Sequence, residues 1–209
     1  MNKKLKLWLP IIVTVLIVIV VVLVWQRSNQ RRELLDINSQ QDIEQFVYEW
    51  TKNSENELAY RAPAIDVQNC EVDVLAVAEK SPYAVIYFIV TSTVPTDGIG
   101  YIKCLTVFEE VENSDLHSFI AEATSTSNEA FIDCGILTPQ MTDWLYILAG
   151  DNSEAHANTY YFKYNGVDYT RSIQDDGVVL DINILPYGNS TTITDKYLMD
   201  KSGAIHRYS

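Results

Sequence analysis

"YYFKYNGVDYTRS", residues 160–172, holds Asn165-Gly166, the pair favoured in two-residue type I′ hairpin turns because both central residues there need positive φ. A turn at this point fixes the register of its flanks. Tyr164 then opposes Val167, Phe162 opposes Tyr169 and Tyr160 opposes Arg171 on one face, while Lys163 opposes Asp168 and Tyr161 opposes Thr170 on the other. The aromatic face is expected inward and the Lys163–Asp168 pair in water.

Working outward, "DWLYILAG" (143–150) precedes this hairpin, "GVVLDINILPY" (177–187) follows it as a further strand, and "KYLMDKSGAIHRY" (196–208) reads as a closing hairpin with Gly203 at positive φ. Further upstream, "CEVDVLAVA" (70–78) alternates, with Cys70, Val72, Val74 and Ala76 on one side and Glu71 and Asp73 on the other. "YAVIYFIVT" (83–91) is apolar on both faces and reads as a central strand. The turn Thr96-Asp97-Gly98 leads into "IGYIKCLTVFEEV", and His117 to Ala123 supplies a fourth strand. One helix precedes the strands. "SQQD" places Asp42 three residues after Ser39 as in a capping box, and Ile43, Phe46, Val47 and Trp50 then share a face. The fold class is therefore mainly β (α+β): a short helix, an antiparallel meander and a small C-terminal β-sandwich.

A different physics governs "LWLPIIVTVLIVIVVVLVW", residues 7–25, which has no charged side chain. As a helix it spans roughly 28 Å, close to the ~30 Å hydrocarbon thickness of a bilayer, and lipid demands internally satisfied backbone. Pro10 sits in the first turn, where no hydrogen bond is lost, and Trp8 and Trp25 fall at headgroup level. The stretch is longer than a signal-peptide core and ends in bulky Trp25, so it is expected to stay as a transmembrane helix. Lys3, Lys4 and Lys6 balance Arg27, Arg31 and Arg32, and the N-terminal amine tips the count toward a cytoplasmic N-terminus. The expected organisation is a cytoplasmic tail (1–6), the membrane helix (7–25) and a helical juxtamembrane stalk (26–37). A helix-plus-meander module (38–138) and a sandwich-like module (139–209) follow, outside the cell membrane.

All 28 acidic residues lie at or after Glu33 against 9 basic ones there, a formal charge of −19. Such a region repels phosphates, so no nucleic acid partner is expected, and it attracts cations or a basic protein face. Cys70, Cys104 and Cys134 are an odd number without CxxC spacing and are expected as free thiols. His117, His156 and His206 fall in no HExxH or H-x-H pattern, no G-x-S-x-G surrounds a serine, and "GIG" (98–100) has the context of a turn. The acidic turns "DNSE" (151–154), "QDDG" (174–177) and "DKSG" (200–203) depart from calcium-loop spacing. No cofactor, metal or catalytic residue is expected. Tyr160, Tyr161, Tyr164 and Tyr169 form the candidate binding surface, an aromatic face for a peptide or cell-wall glycan, set beside their plainer role as sheet residues.

The order of a short helix, a meander containing "GIGY", then "LYILAGDNSE", a hairpin and "YLMDKSGAI" resembles the small membrane-anchored extracytoplasmic proteins of low-GC Gram-positive bacteria. The C-terminal part of those proteins is a little β-sandwich ending in a similar D-x-x-G-x-I hairpin. The resemblance covers most of residues 38–209 and implies a fold and a compartment, with no activity to carry over. The expected function is a membrane-anchored, non-enzymatic binding or accessory protein with a protein or cell-wall partner. A cell-envelope hydrolase using dispersed carboxylates and a cation-sensing domain stay open beside it.

Overall fold

The computed structural model describes residues 34–53, 65–66, 69–93, 100–126, 129–173, 177–188 and 191–207. The apolar stretch 7–25, most of the stalk and the Thr96-Asp97-Gly98 turn lie outside the described residues. Among the described residues no helix is long and apolar enough to cross a membrane. The chain divides into two compact units at Leu34/Leu35, and the second, Leu35–Ser209, carries the architecture below.

Helix α1 (Gln40–Asn53) starts where the capping box places it: Ser39 Oγ accepts from the Asp42 N–H at 3.3 Å. Asp42 in its first turn and Lys52 in its last both complement the helix dipole. Three antiparallel sheets follow. The first comprises β1 (Leu34–Leu35), β2 (Cys70–Lys80), β3 (Tyr83–Ser92), β4 (Tyr101–Glu110) and β5 (His117–Ser125), in the order β1-β5-β4-β3-β2. The middle sheet runs β10 (Val178–Pro186), β7 (Asp143–Asp151), β6 (Phe131–Leu137). The last runs β12 (Ile205–His206), β11 (Ile193–Asp200), β8 (Ala157–Tyr164), β9 (Val167–Ser172).

Hydrophobic side chains stack these elements into layers. Ile43 and Val47 of α1 pack with Ile86, Phe88, Val90 and Cys104, which occupy the helix-facing positions of β3 and β4. The intervening residues Tyr83, Val85, Tyr87, Leu105 and Val107 face the other way, onto Leu145, Ile147, Ala149 and Ile182 of the middle sheet. Tyr146 and Leu148 of β7 then meet Tyr160, Phe162 and Tyr164 of the last sheet, so these two sheets form a sandwich. "YAVIYFIVT" and "LYILAG" are apolar at every position for this reason: β3 and β7 each have a packed layer on both faces. Each large side chain buried this way contributes about 1.5–3 kcal/mol.

The Asn165-Gly166 hairpin forms in the expected register, and φ values of 51° and 82° at its two central residues are those of a type I′ turn. Gly203 has φ 86° in the closing hairpin. Two expectations are corrected. Ala76 does not share a face with Cys70, Val72 and Val74, because a bulge between Val74 and Ala76 reverses the alternation and sends Ala76 toward the middle sheet. Leu34 and Leu35 form β1, in place of the end of a helical stalk. Residues 138 and 139 lie in the β6–β7 hairpin, and the change of sheet comes between β5 and β6.

Candidate functional site

The four tyrosines of the hairpin do not make one surface. Tyr160 and Tyr164 are 0% and 2% exposed, because period-two alternation puts them with Phe162 on the face that the middle sheet covers. The Tyr160 hydroxyl donates to Asp181, Asn183 Nδ2 donates to the Tyr160 oxygen at 2.5 Å, and Arg171 Nε donates to Asn183 Oδ1 at 2.9 Å. Burial, reinforced by the Asp181 charge, pushes the Tyr160 pKa well above the usual phenol range. Tyr164 donates to the Pro186 carbonyl at 2.9 Å, and Tyr169 stacks on Phe162 with ring centroids 5.1 Å apart. The expected aromatic binding face is thus corrected to its outward member, Tyr161.

Tyr161 lies on the other face, stacked on Tyr197 at 4.8 Å, and its hydroxyl donates to Asp168. Lys163 beside it sits 3.1 Å from Asp195 and 3.6 Å from Asp168. Its hydrogen bond to Asp195 and the Asp168 charge raise its pKa, while hydrogen bonding to Asp168 raises that of Tyr161. The polar groups of this face satisfy one another.

The acidic turns also use their oxygens internally. Asp151 Oδ1 accepts from the Ser153 N–H at 2.8 Å. Asp200 Oδ1 accepts from the N–H groups of Ser202 and Ala204 at 2.8 and 2.9 Å. These are Asx-turn bonds; the Ser153 N–H bond holds the Asp151 carboxyl below the usual range, and the Ser202 hydroxyl, which donates to Asp200 Oδ1 at 2.6 Å, does so for Asp200 together with the Ala204 N–H. Residues 174–176 of "QDDG" lie outside the described residues. All three cysteines are free thiols, with Cys104 buried and Cys70 and Cys134 half-buried.

A groove of about 760 Å³ lies between α1 and β2. Its origin is local. Phe46 packs edge-on against Phe108 at 5.0 Å and Trp50 against Phe88 at 5.3 Å, while Trp50 Nε1 donates to Glu122 on β5. These contacts tie the helix to β3, β4 and β5, its backbone comes close to β2 as well, and the helix-side residues of β2 stay half-buried. Ile43, Val47, Val72 and Val74 line the groove, with Glu44 beside them. Tyr48, 59% exposed, stands beside them. β2 is the terminal strand of its sheet, so the groove runs along a sheet edge. The alternation of β2 and the helical period of α1 were both legible in sequence; the placement of the helix on the sheet was not, because it rests on aromatic contacts between residues 38 or more apart.

No protein family matches this chain, and no curated protein or solved structure is significantly similar to it.

Proposed function

We propose that the chain is a membrane-anchored, non-enzymatic binding module that takes an extended strand of a partner protein into the groove between α1 and β2. The groove at a sheet edge is the observation that carries this reading. An added strand hydrogen-bonds through its main chain to a sheet edge, and its alternate side chains drop into the adjoining groove. Apolar residues on the ligand would meet Val72, Val74, Ile43 and Val47, and a lysine or arginine would meet Glu44. The −19 charge from Glu33 onward draws basic segments in the same sense.

The charge-free stretch 7–25 supports a transmembrane anchor, and the N-terminal lysines with the amine support a cytoplasmic N-terminus and an extracytoplasmic β-rich unit. Protease added to intact cells then removes the unit after Arg32; full protection until lysis reverses the orientation. For the groove, a peptide library panned on the full-length chain should enrich extended sequences with alternating apolar residues and a basic flank. Val72→Lys should weaken the best of them at least tenfold with little change in Tm, since Val72 is half-exposed. Binding that survives both Val72→Lys and Tyr48→Ala rules the groove out.

A further inference from the structure

We infer that Glu79, Glu110 and His117 form a binding site for one divalent first-row transition metal ion of the zinc class, at the end of the first sheet. The ligand atoms of the three side chains lie within 4.8 Å of one another although they come from β2, β4 and β5. Backbone pairing explains how. Glu110 and His117 are direct partners in the β4–β5 ladder, and the turn between them closes through a Val111 N–H bond to the Leu116 carbonyl at 2.9 Å. The Glu110 N–H donates to the Pro82 carbonyl at 2.8 Å, which ties the β2–β3 turn to the start of the same turn region. Ser81 Oγ donates to Glu110 Oε2 at 3.0 Å, so one oxygen of that carboxylate is held and the other is available.

An acidic pair alone would mean little. The second observation is the imidazole: His117 is 3% exposed, and neither of its ring nitrogens has a hydrogen-bond partner. Its Nε2 faces Glu79 Oε1 at 3.9 Å, beyond hydrogen-bond reach. A buried polar group without a partner bears its full desolvation cost, and a cation on Nε2 relieves it at that nitrogen. Two ligands on a tetrahedral zinc ion lie roughly 3.3 Å apart, so the glutamates need inward movements of up to about 1.5 Å. Both are exposed and free to make them.

The donor set selects the ion. Calcium and magnesium take all-oxygen shells, whereas one imidazole with two carboxylates suits zinc, manganese, iron or cobalt. Three protein ligands leave a fourth position for water or for a group on a partner. The acidic unit raises the local cation concentration in addition.

The test is calorimetric titration of zinc chloride into the full-length chain, stripped with chelator, in detergent and 150 mM sodium chloride, with cobalt(II) absorption as a second readout. One zinc per chain should bind saturably, and cobalt should give the visible bands of a four- or five-coordinate ion. Glu110→Gln and Glu79→Gln, at exposed positions outside the packed core, should each weaken zinc at least tenfold, and His117→Ala should abolish the cobalt bands. Excess calcium should leave bound zinc in place. Stoichiometric zinc that persists unchanged in both glutamine variants overturns the site, as does zinc that calcium displaces. Loss in His117→Ala counts only if near-ultraviolet dichroism stays native; the glutamine variants decide otherwise. The outcome is independent of the peptide groove.

Discussion

The hydroxyl of Tyr160 on β8 and the carboxylate of Asp181 on β10 are hydrogen-bonded across the boundary between the last and middle sheets. Asn183, 0% exposed, binds that same phenol oxygen and also donates to the Tyr146 carbonyl at 3.2 Å. A polar chain in an otherwise apolar layer fixes how the two sheets sit, since any slip leaves buried groups without partners. Tyr160→Phe should therefore destabilise the protein by about 1–3 kcal/mol in urea denaturation. Tyr161→Phe, which loses only an exposed bond to Asp168, should cost less than about 0.5 kcal/mol.

Alkaline pH should weaken the fold through the tyrosines between the first and middle sheets. Burial, with a smaller contribution from the Asp151 charge, raises the Tyr87 pKa from 10.0 to about 12. The neutral phenol is thus favoured in the folded state. Its contribution is complete below pH 10 and is lost as pH rises through about 12, at up to ~1.4 kcal/mol per pH unit for one group. Urea midpoints measured from pH 9 to 11 should fall, and Tyr87→Phe should flatten that fall by about one proton.

Two glycines should respond oppositely to what their backbone angles suggest. Gly166 has φ 82° but open space around a Cβ, so Gly166→Ala carries only left-handed strain of about 1–2 kcal/mol. At Gly150 a Cβ would lie 2.4 Å from the Ala130 carbonyl oxygen and 2.7 Å from Phe131 Cα, and backbone cannot yield cheaply. Gly150→Ala should cost more than Gly166→Ala, about 3 kcal/mol or above, in thermal melts.

Thiol labelling should follow burial. Cys104 is fully buried and its pKa stands far above the usual thiol range; Cys134 is pushed up to about 12, chiefly by burial. Burial raises Cys70 as well, with the Lys52 charge opposing it. Mass spectrometry after native alkylation should find Cys70 modified first and the other two only on unfolding, with no disulfide under non-reducing conditions.

The β-hairpin of residues 160–172 was legible to the individual pair, because Asn-Gly sets both the turn and the parity of every residue beside it. The helix start was equally legible, since a cap is a local bond. Parity failed where a bulge inserts one residue, at Val74/Ala76, since an alternating pattern does not announce where its ladder skips. β6 passed unnoticed: "FIDCGIL" breaks its apolar run with Asp133 and Gly135, and its place is set by pairing with β7. The candidate sites were less legible. The hairpin register turned Tyr160 and Tyr164 inward, but only the sheet that covers them takes them out of the candidate binding surface, and His117 looked isolated because Glu79 lies 38 residues away along the chain.

The three-stranded middle sheet is covered on both faces, by Tyr87 and Leu105 from one side and by Phe162 and Tyr160 from the other. Neither outer sheet can therefore melt without wetting it. Such an arrangement couples the layers into one cooperative unit, and unfolding of Leu35–Ser209 should be a single transition despite its separate hydrophobic clusters. A force applied at the β2 edge would be resisted by the entire stack, as the proposed strand acceptor would require.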